Sequence, residues 1–197
     1  MQSSGLEVGH EYVRPNGLVS WMLPAERYRN PYGDAIGPLE DFSRIFCVAR
    51  SPLAAINSII PENSDTASYS FRTRILKNRF EITLPTEAED PDGIQSAVMS
   101  YTLWYELCMS FLPQLIYRVD RPEDDALLAD YVGRPVRRSD EIGRNSRPKR
   151  RATHFTPDAL DSLPHDWLLR FAEMAEGLGY PDDATMIEKS AAGRAAG

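Results

Sequence analysis

The stretch from Arg44 to Ile60 reads RIFCVARSPLAAINSII, and it predicts a strand followed at once by a helix. Five apolar residues, Ile45 to Ala49, follow one another without interruption, which is typical of a strand covered on both faces in a parallel sheet. Ser51 is a favourable N-cap, and Pro52 has the fixed φ and the missing N–H group that suit the first helical position. The pattern therefore predicts Arg50 at the carboxyl end of a strand, beside a helix N-terminus.

A second stretch follows the same pattern. Residues 114 to 133 read QLIYRVDRPEDDALLADYVG, in which Leu115 to Val119 is the strand and Pro122 opens the helix. The acidic residues Glu123 to Asp125 complement the positive end of the helix dipole, and Gly133 is a favourable helix stop. Two strand–helix units in one chain predict an α/β fold with a parallel sheet.

Helical spacing of apolar residues marks two further helices. The first runs from Ile94 to Leu112 and starts with a capping-box-like pair, Asp92 and Gln95. Its aromatic stripe is interpreted as core. The second is a terminal amphipathic helix in residues 166 to 180, which read DWLLRFAEMAEGLGY, and either Gly177 or Gly179 is predicted to stop it.

The remaining segments define the domain boundaries. No repeat or change of composition divides residues 1 to 181, so one domain is predicted there. Residues 182 to 197 are small and polar, and they are predicted to form a disordered tail. The apolar residues between positions 61 and 91 show no firm period, so the sequence is compatible with either a helix or a hairpin in this segment.

The composition is that of an ordinary globular protein, with 197 residues of which 42% are hydrophobic and 26% charged. Cys47 and Cys108 lie in apolar runs and are predicted to be buried thiols in a reducing compartment. Because the sequence contains neither a long apolar run nor a secretory leader, it predicts a cytoplasmic protein without a membrane span. The three histidines show no metal-ligand spacing, so no metal site is predicted.

The charge is uneven along the chain. The net charge is −7, yet residues 134 to 151 carry eight basic and two acidic residues, a local charge of +6. Such a segment favours an anionic ligand, and a solvated charge run is the alternative. Because it contains no aromatic residue, it does not predict a platform for single-stranded nucleic acid, and no specific nucleic-acid partner is expected.

Arg50, Ser51 and Ser58 are the candidate anion site. An arginine at the end of a strand, next to the N–H groups of a helix N-terminus, is suited to bind a phosphate. Ser58 lies seven residues after Ser51 and shares its helix face, so Arg50 and Ser58 could hold one anion from two sides. The alternative is that Arg50 pairs with a carboxylate at the sheet edge and Ser58 makes an ordinary helix contact.

These residues carry a resemblance to a known family. The run CVARSPLAAINSI, with its Arg and Ser eight positions apart, resembles the segment of 3'-phosphoadenylyl-sulfate-dependent sulfotransferases that binds the nucleotide's 3'-phosphate. Other pieces resemble the family in the same order: GHEYVRPNGLVSW, LWYEL, IYRVDRPEDDALLADYVG and FAEMAEGLGYP. Together they cover about residues 5 to 181. Ser51 stands where an acidic residue often follows the arginine in the family.

The resemblance implies a three-layer, mostly parallel, P-loop NTPase-like fold. It implies transfer of a sulfuryl group from the co-substrate 3'-phosphoadenylyl sulfate to an acceptor hydroxyl or amine, without a metal. The product is adenosine 3',5'-bisphosphate, and the acceptor would be a small molecule or a carbohydrate. Whether this chain is an active transferase is left open.

The resemblance also suggests further site residues. Sulfuryl transfer needs a base for the acceptor proton, which points to Glu11 first and to His10 second. A structural role for both, with Glu11 paired to Arg14, is the alternative. A basic loop that closes over the nucleotide in the family suggests the further nucleotide-binding residues Arg147, Lys149, Arg150 and Arg151.

The amino terminus departs from the family pattern. The glycine-rich loop that holds the 5'-phosphosulfate in sulfotransferases has no counterpart in MQSSGLEVGHE or in the residues after it. The expectation is an N-terminally truncated sulfotransferase fold with impaired transfer. A noncatalytic nucleotide- or anion-binding module on the same fold is the alternative. Loss of the first strand would leave a sheet edge exposed, so self-association through that edge is a further expectation.

Overall fold

The structure is a computed structural model, and it describes residues 9–10, 18–20, 23–25, 42–63, 66–136 and 155–195. Its strands and helices, in chain order, are β1 (Gly9–His10), β2 (Leu18–Val19), β3 (Phe46–Ala49), α1 (Pro52–Glu62), α2 (Thr66–Phe80), α3 (Ile94–Met109), β4 (Leu115–Arg118), α4 (Asp124–Val132), α5 (His165–Gly177) and α6 (Pro181–Ala195). Short 3-10 helices cover Leu23–Ala25 and Pro157–Ser162. The described part is mixed α/β and mostly helical.

The chain divides into two compact units, where the sequence predicts one domain over residues 1 to 181. Unit 1 consists of Met1–Ala49 and Phe111–Pro148, and unit 2 consists of Arg50–Ser110 and Lys149–Gly197. The boundary between Ala49 and Arg50 falls within the predicted strand-to-helix turn. All described strands and helix α4 lie in unit 1, and the five helices α1, α2, α3, α5 and α6 lie in unit 2.

Unit 1 contains the parallel pairing that the sequence predicts. β3 pairs with β4 from Phe46 opposite Leu115 to Ala49 opposite Arg118, and β1 pairs with β2, also in parallel. One expectation for β3 is wrong, because Val48 is 40% exposed. Successive side chains of a strand point to opposite faces, and only the face that carries Cys47 and Ala49 is buried.

Helix α4 of unit 1 begins two residues later than predicted. Pro122 and Glu123 form a turn, and the helix starts at Asp124, which is 1% exposed. The Asp124 carboxylate accepts hydrogen bonds from the Arg118 backbone N–H at 2.9 Å and from its guanidinium at 2.7 and 2.8 Å. Gly133 ends the helix in the left-handed region, at φ 72°, as the sequence predicts.

Unit 2 is a packed set of helices. α1 packs against α3, α3 packs against α2 and α5, and α5 packs against α6. The largest fully buried side chains of this unit are Ile56, Ile75, Leu76, Leu103, Leu160, Leu163, Leu168, Phe171, Leu178 and Tyr180. The segment left open by the sequence is helical, since α2 occupies Thr66–Phe80.

The start of α3 differs from the predicted capping box. Gly93 is the N-cap residue and is left-handed at φ 68°. The carboxylate that caps the helix belongs to Asp90, which accepts hydrogen bonds from the N–H groups of Gln95 at 3.2 Å and Ser96 at 2.6 Å. The left-handed turn at Gly93 brings Asp90, rather than Asp92, back over the first turn of the helix.

The prediction of a disordered tail from Asp182 is wrong for the described residues up to 195. Helix α6 spans Pro181–Ala195 and packs against α5. Ala184, Ile187 and Ala191 are buried at helical spacing, so the small residues that read as a polar tail form one apolar stripe. α5 itself ends at Gly177, as the sequence predicts. None of the helices in the described residues is long and apolar enough to cross a membrane.

Candidate anion-binding site

The candidate site lies at the first turn of α1. Ser51 is the N-cap of this helix, as the sequence predicts, and its hydroxyl accepts a hydrogen bond from the N–H of Ala54 at 3.3 Å. Pro52 occupies the first helical position, where its missing N–H leaves no unsatisfied donor. Local sequence alone therefore sets the position at which α1 begins.

Arg50 and Ser58 lie within hydrogen-bonding distance of each other. The Arg50 Nη1 group donates to the Ser58 Oγ atom at 3.1 Å. Arg50 is exposed and Ser58 is half-buried. The side chain of Arg50 thus runs along the face of α1 that carries Ser58, and both groups can donate to one anion placed beside them.

Asp183 is the residue of this region that sequence analysis missed. Its Oδ2 atom accepts hydrogen bonds from the Ser51 hydroxyl at 2.7 Å and from the Leu53 N–H at 3.1 Å. A helix N-terminus attracts negative charge, and here the carboxylate of α6 supplies it. No sequence signal links the two positions, because Asp183 lies in the segment interpreted as a tail.

The contact with Asp183 corrects the premise that the N–H groups at the start of α1 are free to bind a phosphate. Pro52 has no N–H, the N–H of Leu53 is bonded to Asp183, and that of Ala54 is bonded to Ser51. The N–H of Ala55 donates to the Ser51 carbonyl oxygen at 2.9 Å. The backbone donors of the first turn are therefore engaged within the protein, and the side chains of Arg50 and Ser58 remain as the candidate anion-binding groups.

Tyr101 connects the core of unit 2 with the candidate site. Its hydroxyl donates to the backbone oxygen of Arg50 at 3.0 Å. The side chain is 3% exposed, and its ring lies 4.5 Å from the ring of Tyr105 and 5.8 Å from that of Phe171. Tyr101 confirms the prediction that the aromatic stripe of α3 is core, whereas Trp104 and Tyr105 are half-buried. The one signal for this additional contact is a hydroxyl group on an otherwise apolar face.

The structure does not describe the side chains of the other predicted site residues at this position. Glu11, Arg147, Lys149, Arg150 and Arg151 lie outside the described residues, and His10 is described only through its backbone, as the second residue of β1. Among the residues that the structure describes, no group of three His, Cys, Asp or Glu side chains could hold a metal ion.

A shallow cavity of about 220 Å³ lies between α3 and α5, away from the predicted residues. Its lining consists of Glu106, Met109, Arg170, Glu173, Met174 and Gly177. The guanidinium of Arg170 pairs with the Glu106 carboxylate and lies 4.9 Å from the centre of the Trp167 ring. Arg170 of α5 and Glu106 of α3 therefore neutralise each other at this cavity.

Compared with known proteins, the chain matches no family model, no curated protein and no solved structure. The resemblance to sulfotransferases therefore depends on the residues and motifs quoted from the sequence.

Proposed function

We propose that this chain binds a nucleotide with a 3'-phosphate through Arg50 and Ser58, and that it is a sulfotransferase-like protein in which sulfuryl transfer from 3'-phosphoadenylyl sulfate to an acceptor hydroxyl or amine is impaired. The observation that carries the proposal is the 3.1 Å contact between Arg50 Nη1 and Ser58 Oγ. It supports the two-sided anion site that the spacing of the two residues predicts. The proposed fold is the three-layer, P-loop-like fold of the family that the sequence resembles.

The chemistry of the two side chains suits a phosphate. A guanidinium is charged at all physiological pH values and presents several donors in one plane, while a serine hydroxyl can rotate to donate or accept. The Ser58 hydroxyl can accept from Arg50 and at the same time donate its own proton to a phosphate beside Arg50. Arg50 is exposed, so a ligand reaches it without opening the core.

The engaged helix N-terminus limits what the site can offer. Because Asp183 and Ser51 hold the backbone donors of the first turn, the affinity for the phosphate depends on the two side chains. A charge-assisted hydrogen bond contributes about 1.5 to 3 kcal/mol, and a neutral one about 0.5 to 1.5 kcal/mol. We therefore expect weak binding, in which Arg50 contributes more than Ser58.

The transfer step would use groups outside this contact. The acceptor oxygen or nitrogen forms a bond to sulfur as the bond between sulfur and the 5'-phosphate oxygen breaks, and the acceptor proton passes to a base. Glu11 is the first candidate for that base and His10 the second. Arg147, Lys149, Arg150 and Arg151 are the candidates for closing over the adenosine 3',5'-bisphosphate product.

Calorimetry with adenosine 3',5'-bisphosphate tests the binding step. We expect the wild-type chain to bind, and Arg50→Ala to lose about 1.5 to 3 kcal/mol of binding free energy. Arg79→Ala is the matched control, since Arg79 is an exposed arginine on α2 of the same unit, and it should bind like wild type. Adenosine 5'-monophosphate, which lacks the 3'-phosphate, should bind more weakly. Equal binding by wild type and Arg50→Ala would refute the site.

A noncatalytic anion-binding module is the second candidate function. The contact between Arg50 and Ser58 accounts for binding of an anion and for no chemical step. Incubation of the purified chain with labelled 3'-phosphoadenylyl sulfate and a panel of hydroxyl and amine acceptors separates the two. Labelled product supports the transferase, whereas binding of the nucleotide without any labelled product supports the module.

A further inference from the structure

The backbone that carries Arg50 is held by side chains from two other helices. The Tyr101 hydroxyl of α3 donates to the Arg50 carbonyl oxygen at 3.0 Å. One residue further along, the Ser51 hydroxyl donates to the Asp183 carboxylate of α6 at 2.7 Å. The Arg50 carbonyl belongs to the planar peptide group that joins Arg50 to Ser51, so the two contacts hold neighbouring points of the same turn.

The two contacts constrain different parts of the turn. Asp183 also binds the Leu53 N–H, so it fixes the first turn of α1 itself. Pro52 further restricts the backbone of Ser51 to extended conformations. Rotation about the N–Cα bond of Ser51 moves the Arg50 carbonyl relative to α1, and the hydrogen bond from Tyr101 opposes this rotation.

The orientation of that peptide group decides where the Arg50 side chain points. The side chain is long and exposed, and it must run along α1 to reach Ser58 eight residues later. Rotation about the N–Cα bond of Ser51 would move the Cα of Arg50 and swing the Arg50 guanidinium away from the face of α1 that carries Ser58. The Tyr101 side chain is itself immobilised, because it is 3% exposed and packs against Tyr105 and Phe171.

We propose that Tyr101 is a positioning residue for the phosphate site, which holds the Arg50 peptide so that the guanidinium stays beside Ser58. This inference rests on the proposed function for its ligand. Tyr101 does not touch the ligand in this role. It acts through the backbone of Arg50 alone, and its ring serves the core independently of its hydroxyl.

Tyr101→Phe tests the proposal because it removes the hydroxyl and keeps the ring. Tyr105→Phe is the matched control, since Tyr105 lies one turn along on α3 and its ring contacts the Tyr101 ring at a tilt of 43°. We expect Tyr101→Phe to bind adenosine 3',5'-bisphosphate about twofold to tenfold more weakly than wild type, the range that one neutral hydrogen bond accounts for. Tyr105→Phe should bind like wild type.

A ligand-free measurement separates this proposal from the proposed function. The ¹H–¹⁵N heteronuclear NOE of the Arg50 Nε–H group reports the mobility of the guanidinium, and it should fall in Tyr101→Phe while staying unchanged in Tyr105→Phe. If wild type does not bind the nucleotide but the NOE falls, the proposed function fails and the positioning role stands. An NOE that is unchanged in Tyr101→Phe would show that the positioning role is wrong. If wild type binds the nucleotide, equal affinity of the Tyr101→Phe variant would show the same.

Discussion

The hydroxyl of Ser51 donates a hydrogen bond of 2.7 Å to the carboxylate of Asp183, across 132 residues of sequence. The same carboxylate accepts from the Leu53 N–H at 3.1 Å. Asp183 is therefore a capping group for α1 that comes from α6, and it joins the beginning of unit 2 to its end. The helix N-terminus that the sequence offers to an external anion is thus capped by a carboxylate of the protein itself.

Replacement of Asp183 should destabilise unit 2. Asp183→Ala removes a charged acceptor from a helix N-terminus, and we expect a loss of about 1 to 2 kcal/mol in the free energy of unfolding. Asp182→Ala is the control, because Asp182 is exposed and also lies in the first turn of α6, where it has the same relation to that helix dipole. Urea denaturation followed by circular dichroism measures both. Equal stability of the two variants would show that the cap contributes nothing.

The cap of α3 gives a second prediction. Asp90→Ala removes the carboxylate that accepts from the N–H groups of Gln95 and Ser96. The free energy of unfolding should therefore decrease by about 1 kcal/mol. Asp92→Ala tests the capping residue that the sequence predicts, and it should change stability by less than about 0.5 kcal/mol. A thermal melt in which Asp92→Ala is the less stable variant would contradict the structure at this turn.

The pair of Arg118 and Asp124 predicts a pH dependence in unit 1. Hydrogen bonds from the Arg118 side chain, with weaker contributions from its backbone and from the charges of Arg118 and Arg121, hold the pKa of Asp124 below its ordinary value of 3.8. Because the pKa is lower in the folded state, the ionised carboxylate stabilises the fold above about pH 4. This contribution is lost as the pH falls below 3.8 and through the lower pKa of the folded state.

Asp124→Asn should therefore be less stable than wild type at pH 7 by about 2 to 3 kcal/mol, because it leaves the half-buried Arg118 without its charged partner. The difference should shrink as the pH is lowered below 3.8. Asp130→Asn, an exposed position on the same helix, should follow wild type at every pH. Stability measured in urea at pH 7, 5 and 3 makes the comparison, and a difference that is independent of pH would argue against an ionised Asp124.

Two glycines at helix ends should respond in opposite directions. Gly133 has φ 72°, so Gly133→Ala places a Cβ in the left-handed region and should cost about 1 kcal/mol. Gly177 lies in the last turn of α5 with open space around its Cα and without a positive φ. Gly177→Ala should therefore stabilise the protein by about 0.5 to 1 kcal/mol. Melting temperatures that move in the same direction for both variants would contradict these backbone conformations.

The locally coded parts of the fold could be predicted. The strand before Arg50, the N-cap at Ser51, the stop at Gly133 and the end of α5 each depend on residues within a few positions of one another. Such signals act through backbone dihedrals and hydrogen bonds along one stretch of chain, so the sequence is sufficient to locate them.

The segments without a local signal needed tertiary contacts. α2 is rich in charged and polar residues, and its helical state is supported by Leu76, which packs in a cluster with Leu84, Met99 and Leu103. The small apolar residues of α6 are buried because α5 packs against them. Packing of this kind decides between a helix and another structure when the period of the sequence is weak.

The sequence by itself determined that Ser51 and Ser58 share one face of a helix and that Arg50 directly precedes its N-cap, because helical spacing and capping act within one stretch of chain. Only the tertiary structure decided what else meets that turn. Tyr101 lies 51 residues from Arg50 in the sequence, and Asp183 lies 132 residues from Ser51. No local pattern connects such positions. Their contacts exist because α3 and α6 pack within the same unit, and hydrogen-bonding groups carried by packed helices find partners that sequence spacing does not encode.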